Sequence, residues 1–247
     1  MTAFEYIDEL PFRHHDLRKH IKCSDVEFAL KHRKEFVNFT NEAGIGIYLD
    51  KFTYLEPVVS KYAISILRGN VKNAGGHSNI SEAFSIDILS KLFSVKHVIL
   101  ETDVVYDCVH CSMVDYIMEI PADSEILRVG VSVTRAFRPN KIRDYGAFTM
   151  DDAVMLLTKK LFGLVIAREG VVDKLSFYQS ILHIWSPDQH TTNCIIRAMK
   201  YLDMTRFDIV GTLDIWITTC SDPCIFTNEL NPITATKMFN KIYCAST

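Results

Sequence analysis

Residues 126–137, "ILRVGVSVTRAF", alternate along the chain with a period of two, the pattern of a strand whose successive side chains point to opposite faces. Leu127, Val129, Val131 and Val133 make one apolar face, and Arg128, Gly130, Ser132 and Thr134 fall opposite. Two upstream stretches behave similarly. Residues 97–106, "HVILETDVVY", put Glu101 and Asp103 together with Leu100, Thr102 and Val104 opposite. Residues 112–120, "SMVDYIMEI", put Val114, Tyr116, Met118 and Ile120 on one face and Asp115 and Glu119 on the other. Paired as a meander, the three polar sides gather Glu101, Asp115, Ser132 and Thr134 in one patch. A solvated sheet face explains such alternation too, but Gly130 and small hydroxyls stand here where long solvating side chains would be expected, and the helix that follows has to cover part of the sheet.

The period changes to 3.6 on either side of this meander. Residues 81–93 form a helix with Ile86, Leu89 and Phe93 on one face and Glu82 in line with them at its first turn. Residues 149–170 form a long helix, opened by Thr149 with Asp152 three residues on and ended near Gly170. A strand at 180–185, a helix at 190–203, a strand at 207–219 and a short helix at 233–244 follow. The core order α-β-β-β-α-β-α-β predicts an α/β fold, a mixed β-sheet flanked by helices on both faces.

The glycine- and asparagine-rich stretch 68–79 divides the chain into a helical N-terminal extension, 1–75, and an α/β core, 76–247. Capping-box patterns at Ser24/Glu27 and Thr53/Glu56 predict helices over 25–41 and 54–67, with Pro57 in the first turn of the second. "GIGIYLD" between them reads as a short strand.

Composition adds boundaries. At 48% hydrophobic residues, 247 residues suffice for a substantial core. A net charge of −3 exerts no global pull on polyanions, so nucleic-acid binding would need a local patch. The early acidic residues do not resemble a secretory signal, and no apolar run reaches the length of a membrane span, so an intracellular location, cytoplasmic or nuclear, with no membrane partner is expected. An odd number of cysteines, seven, then reads as reduced thiols.

The order helix, meander, helix, strand, helix, strand, with Glu82 in "SEAFSIDIL" and Asp115 in "MVDYIMEI", resembles the core of the restriction-endonuclease-like, or PD-(D/E)XK, nuclease superfamily. The resemblance implies an acidic residue on the first core helix, an aspartate on the second strand and an acid-x-lysine on the third. It thereby implies a Mg²⁺ or Mn²⁺ ion held by Glu82, Glu101 and Asp115 that would polarise a phosphate and generate hydroxide. Where the superfamily has acid-x-lysine, this chain has Ser132-Val133-Thr134. Arg135, or Lys159 or Lys160 on the next helix, would have to supply the missing positive charge, and an arginine holds phosphate without acting as a base. The implied function is a nuclease-like domain that acts on or binds nucleic acid, with Ser132, Thr134 and Arg135 lining the site. The competing reading is a catalytically inactive scaffold for a protein partner.

Other residue clusters suggest weaker chemistry. Cys108, Cys111, Cys220 and Cys224, or three of them with His110, offer a tetrahedral zinc ligand set, but unrelated thiols give the same loose spacing. A redox role for the CxxC pair would call for a helix N-terminus beside it, which a hairpin turn lacks. The basic run 12–22 and His183 read as a solvated segment and a hydrogen-bonded strand histidine. The P-loop, dinucleotide, zincin and hydrolase motifs are missing from the sequence.

Overall fold

The computed structural model describes residues 36–40, 46–52, 60–67, 78–122, 125–138, 147–202, 207 and 212–226. Seven strands form one sheet: β1 (Phe36–Thr40), β2 (Gly46–Phe52), β3 (His97–Leu100), β4 (Tyr116–Ala122), β5 (Glu125–Arg135), β6 (Gln179–Ser186) and β7 (Leu213–Cys220). The helices are α1 (Lys61–Leu67), α2 (Asn79–Phe93), α3 (Met150–Gly170) and α4 (Gln189–Tyr201). From α2 to β7 the elements follow in the order that the hydrophobic pattern predicts.

The strand order is β1-β2-β7-β6-β5-β4-β3. β3, β4 and β5 form the antiparallel meander, with Tyr116 opposite Val131 and Glu119 opposite Arg128. β5, β6, β7 and β2 run parallel, and β1 returns antiparallel to β2 at the far edge. The sheet is therefore mixed, as expected. β1 and β2 come from the N-terminal part and extend the sheet beyond β7, whose outer edge they pair.

Helices cover both faces. Tyr116, Met118, Val129, Val131, Val133, Ile181, Trp185 and Trp216 pack against α1 and α2. Ile117, Leu182, Ile184, Ile215 and Ile217 pack against Ala153, Leu157, Leu161 and Leu164 of α3 and Ile195 and Ala198 of α4. β6 and β7 lie between these layers and are buried at every residue, so that polar residues such as His183 and Thr218 are enclosed along with the apolar ones. α2 is buried nearly all round, so its apolar residues are not confined to one stripe.

Several of the polar groups caught inside are bonded to one another, whereas the buried Ser180 hydroxyl has no partner among the described residues. The Ser85 hydroxyl lies 2.7 Å from the Tyr116 hydroxyl and 2.6 Å from His183 Nδ1, and His183 Nε2 lies 2.9 Å from Thr218 Oγ1. Trp185 Nε1 donates to the Ser81 carbonyl at 3.0 Å. His183 is thus the hydrogen-bonded strand histidine its setting suggested. Asp87, on the outer side of α2, accepts from Ser60 N and from Lys91, which ties α1 to α2.

Several expected boundaries move. The described part of the helix expected at 25–41 is a strand, β1, because β2 offers it a hydrogen-bonded edge that outweighs its local helical pattern. The strand expected over 97–106 stops at Leu100, and Glu101–Asp103 form a 3-10 turn that drops Val104 into the core beneath α3. The last strand begins at Leu213 rather than at 207. The capping boxes at 24 and 53, Pro57, the basic run 12–22 and the helix expected at 233–244 lie outside the described residues. Among the described residues no helix is long and apolar enough to cross a membrane.

α3 opens as its sequence indicates. Thr149 Oγ1 accepts from Asp152 N at 3.3 Å, and Asp152 Oδ2 accepts from Thr149 N at 2.8 Å. Arg138 grips the same carboxylate through two nitrogens, at 2.8 and 2.9 Å. Burial alone would raise the Asp152 pKa, but these bonds from Arg138 and Thr149 outweigh it and hold the carboxyl below the usual range. A carboxyl depressed in the folded state stabilises above its unfolded pKa, about 3.9, and that contribution is lost as pH falls through the folded value. Asp152→Asn is expected to cost about 1 kcal/mol at neutral pH and to flatten the stability curve below about pH 4, as urea titrations across that range would show. At Gly130 an added Cβ would fall against the Phe177 ring. Gly130→Ala is therefore expected to destabilise by about 1–3 kcal/mol in the same measurement.

Candidate functional site

The polar residues of the meander collect where β4 begins and β5 ends. Asp115 sits immediately before β4, and its N–H donates to the Val131 carbonyl at 2.9 Å. Its Oδ2 accepts from Val133 N at 2.6 Å and from the Ser132 hydroxyl at 3.2 Å. Lys160 reaches in from α3 and donates to Ser132 Oγ at 3.2 Å and to the Val133 carbonyl at 3.0 Å. One hydroxyl therefore donates to a carboxylate and accepts from an ammonium, which uses both of its capacities. Thr134 follows on the same face of β5, half-buried.

Glu101 joins this cluster from below. Its N–H donates to the Asp115 carbonyl at 3.1 Å, and both carboxylates act on Tyr106, whose hydroxyl accepts from Val114 N at 2.9 Å. The Tyr106 phenol is pushed up to about 12, chiefly by burial and further by the Glu101 and Asp115 charges, against the lowering effect of the Val114 hydrogen bond.

Glu82 and Arg135 lie on the other face. Glu82, in the first turn of α2, is buried and accepts from the Ser78 hydroxyl. Arg135 ends β5 with its guanidinium 5.3 Å from the Phe137 ring and with Nη1 3.5 Å from the Ile225 carbonyl. Burial lowers the Arg135 pKa, and the Glu82 carboxylate opposes that shift. Tyr116 feels both sets. Its phenol is raised first by burial and further by Asp115 and Glu82, against the bond from Ser85.

The structure thus brings Glu101, Asp115, Ser132 and Thr134 to one end of the meander, as the alternation predicts, and places Glu82 with Arg135 across the sheet. The three carboxylates do not converge, because α2 covers the face opposite the one that Asp115 and Ser132 look onto. Among the described residues no group of three or more His, Cys, Asp or Glu is placed to hold a metal ion. Of the expected oxygen ligands, Glu101 and Asp115 are the neighbouring pair. Lys159 is exposed on the outside of α3, and Lys160 takes the place expected for it. The register explains this: Leu157, Leu161 and Leu164 face the sheet, and Lys160 flanks that stripe, three residues beyond Leu157. Tyr106 was hidden in the sequence because a continuous strand over 97–106 gave it no special position.

The four cysteines considered for zinc fall in two separate places. Cys108 and Cys111 pair as a disulfide in the turn before Asp115, which departs from the expectation of reduced thiols for these two cysteines. Cys220 and Cys224 are buried thiols, in no disulfide, in the core beneath α2. Burial pushes the Cys224 thiol well up, with Asp222 and Cys220 adding to the effect, and a protonated thiol is a poor metal ligand.

Asp115 and Lys160 do not touch directly in this arrangement but share Ser132. In urea unfolding, Asp115→Ala is expected to cost about 1–3 kcal/mol because Val133 N loses its acceptor. A double-mutant cycle with Lys160→Met should show about 0.5–1 kcal/mol of coupling, and Ser132→Ala should abolish that coupling.

No protein-family profile matches the chain. It is 32% identical over 151 residues, 58% of its length, to the "AAC-rich mRNA clone AAC4 protein" of Dictyostelium discoideum, a name that states no activity. Those residues cover 21% of that protein, so the chain spans about a fifth of the length of the curated relative that it matches.

Proposed function

We propose that this chain is a nuclease-like α/β domain, with the restriction-endonuclease-like arrangement of its core, that binds nucleic acid through the open end of its meander. The observation that carries the reading is the meeting of Asp115 and Lys160 at Ser132, where that superfamily would bring its strand aspartate and its lysine together. The order α2-β3-β4-β5-α3-β6-α4-β7 and the antiparallel placement of β4 within the mixed sheet support it.

Lys160 and, across the sheet, Arg135 supply the local positive charge that a net charge of −3 does not. Glu101 and Asp115 are oxygen donors suited to a Mg²⁺ or Mn²⁺ ion that keeps most of its waters. Such an ion would polarise a phosphate and lower the pKa of a bound water. The chain's own residues do less toward cleavage. Asp115 already accepts two hydrogen bonds, the third-strand acid is absent, and the Lys160 ammonium is engaged with Ser132 and the Val133 carbonyl. The reading is accordingly a binder before it is a catalyst.

One observation favours the protein-scaffold reading. Met155, Phe162 and Ile166 are exposed at spacings of seven and four along one side of α3, an apolar stripe of the kind partner proteins cover.

Fluorescence anisotropy with single- and double-stranded RNA and DNA separates the two. Binding by at least one of the four is expected, weakening about tenfold between about 50 and 200 mM salt, with Lys160→Met several-fold weaker at low salt. If none of the four binds in a salt-sensitive way, the nucleic-acid reading fails and the scaffold stands. Mn²⁺-dependent cleavage that Asp115→Asn abolishes would replace the binder by an enzyme.

A further inference from the structure

The turn that carries Cys108 and Cys111 is seated on the C-terminal end of α3. Asp107 N donates to the Gly170 carbonyl at 2.8 Å, Val172 N donates to the Val105 carbonyl at 3.1 Å, and Tyr106 bridges Val171. The Cα atoms of Cys108 and Cys111 are 5.6 Å apart, within the usual disulfide range. Gly170 makes room for the pair: a Cβ there would lie 2.9 Å from Cys111 Sγ and 3.1 Å from Cys108 Sγ. The residues around the sulfurs are open to solvent, with Cys108 and His110 exposed and Val109 90% exposed. Cys194, Cys220 and Cys224 are by contrast buried and unbridged.

We propose that Cys108 and Cys111 are a reversible redox-modification site, a dithiol that closes to a disulfide by exchange with a small external disulfide and so clamps the turn before Asp115 onto the end of α3. In the exchange one cysteine thiolate attacks the external disulfide, displaces one external thiolate and becomes a mixed disulfide. The second cysteine thiolate attacks the protein sulfur of that mixed disulfide, closes the Cys108–Cys111 bond and displaces the second external thiolate. The two protons from the cysteines pass to the two departing thiolates, and the external disulfide is reduced by the two electrons that the pair loses.

The helix end determines the character of the pair. Redox-active CxxC pairs at a helix N-terminus have their thiolates stabilised, whereas this pair lies at a C-terminus, where the macrodipole disfavours negative charge. A destabilised thiolate attacks slowly and favours the closed disulfide at equilibrium, so the site is a clamp that is set and released and not a catalyst of exchange in other proteins. Gly170 belongs to the clamp because bonded sulfurs cannot rotate away from an added methyl group, whereas free thiols can. The clamp does not rest on the nucleic-acid reading.

The test equilibrates the full chain across ratios of oxidised to reduced glutathione, quenches with acid, alkylates free thiols in denaturant and reads each cysteine by mass spectrometry. Cys108 and Cys111 are expected to lose alkylation together in one transition, while Cys194, Cys220 and Cys224 remain alkylated throughout. Cys111→Ser should leave Cys108 as a glutathione adduct. Gly170→Ala should require an about tenfold more oxidising ratio for half-closure, the low end of an overpacking cost, with an unchanged thermal melt in the reduced state. The proposal is overturned if both cysteines stay alkylated at the most oxidising ratio, if the wild type accumulates the adduct without closing, or if protection from alkylation requires added zinc. An unchanged midpoint in Gly170→Ala would overturn the role given to Gly170.

Discussion

β6 and β7 have no residue turned to water: all eight positions of each are buried, under α1 and α2 on one side and α3 and α4 on the other. Two central strands covered on both faces impose a condition on the rest of the chain, since a polar side chain that enters there without a partner inside destabilises the fold, as the unpartnered Ser180 hydroxyl on β6 does. His183 meets the condition by spanning from Ser85 on α2 to Thr218 on β7, and Thr192 on α4 meets it through Ser186 and Thr219. Solvent-accessible chemistry is thereby excluded from the middle of the sheet and confined to strand ends and to the turns outside them.

The Asp115 cluster occupies such an end. β4 and β5 are antiparallel, so the start of one lies beside the end of the other, and the three-residue turn after β3 adds Glu101 at the same level. α3, which covers this face, then brings Lys160 alongside. Each element contributes one or two polar residues for a structural reason of its own, and the charge cluster results from their convergence. The same helix supplies, at its C-terminal end, the carbonyl and the glycine that receive the cysteine turn. α3 therefore meets the segment before Asp115 at Gly170 and the end of β5 at Ser132 and Val133 through Lys160.

Much of this was legible in one dimension. Two periods, 2.0 and 3.6, were enough to order the elements from α2 to β7, because burial on one face of a strand or one stripe of a helix leaves its mark directly on the sequence. The Thr149/Asp152 capping box is equally local, its two hydrogen bonds joining residues three apart. Alternation also placed Asp115 with Ser132 and turned Arg135 away from them. Where the chain left a regular element the reading lost its footing. The turn at Glu101–Asp103 keeps the polar spacing of a strand while abandoning its geometry, and β1 takes its conformation from β2, a neighbour that its own five residues do not announce.

The sequence by itself determined the α/β class, the order of the core elements and the pairing of Asp115 with the hydroxyl face of β5, since each follows from local periodicity. Only the tertiary structure decided that Glu82 answers to Arg135 and not to Asp115, that Lys160 and not Lys159 reaches Ser132, and that Cys108 and Cys111 close against Gly170. These depend on which face α2 covers, on the rotation of α3 about its axis and on where its last turn ends. All three are set by how helices pack across the sheet, a long-range constraint that no spacing along the chain encodes.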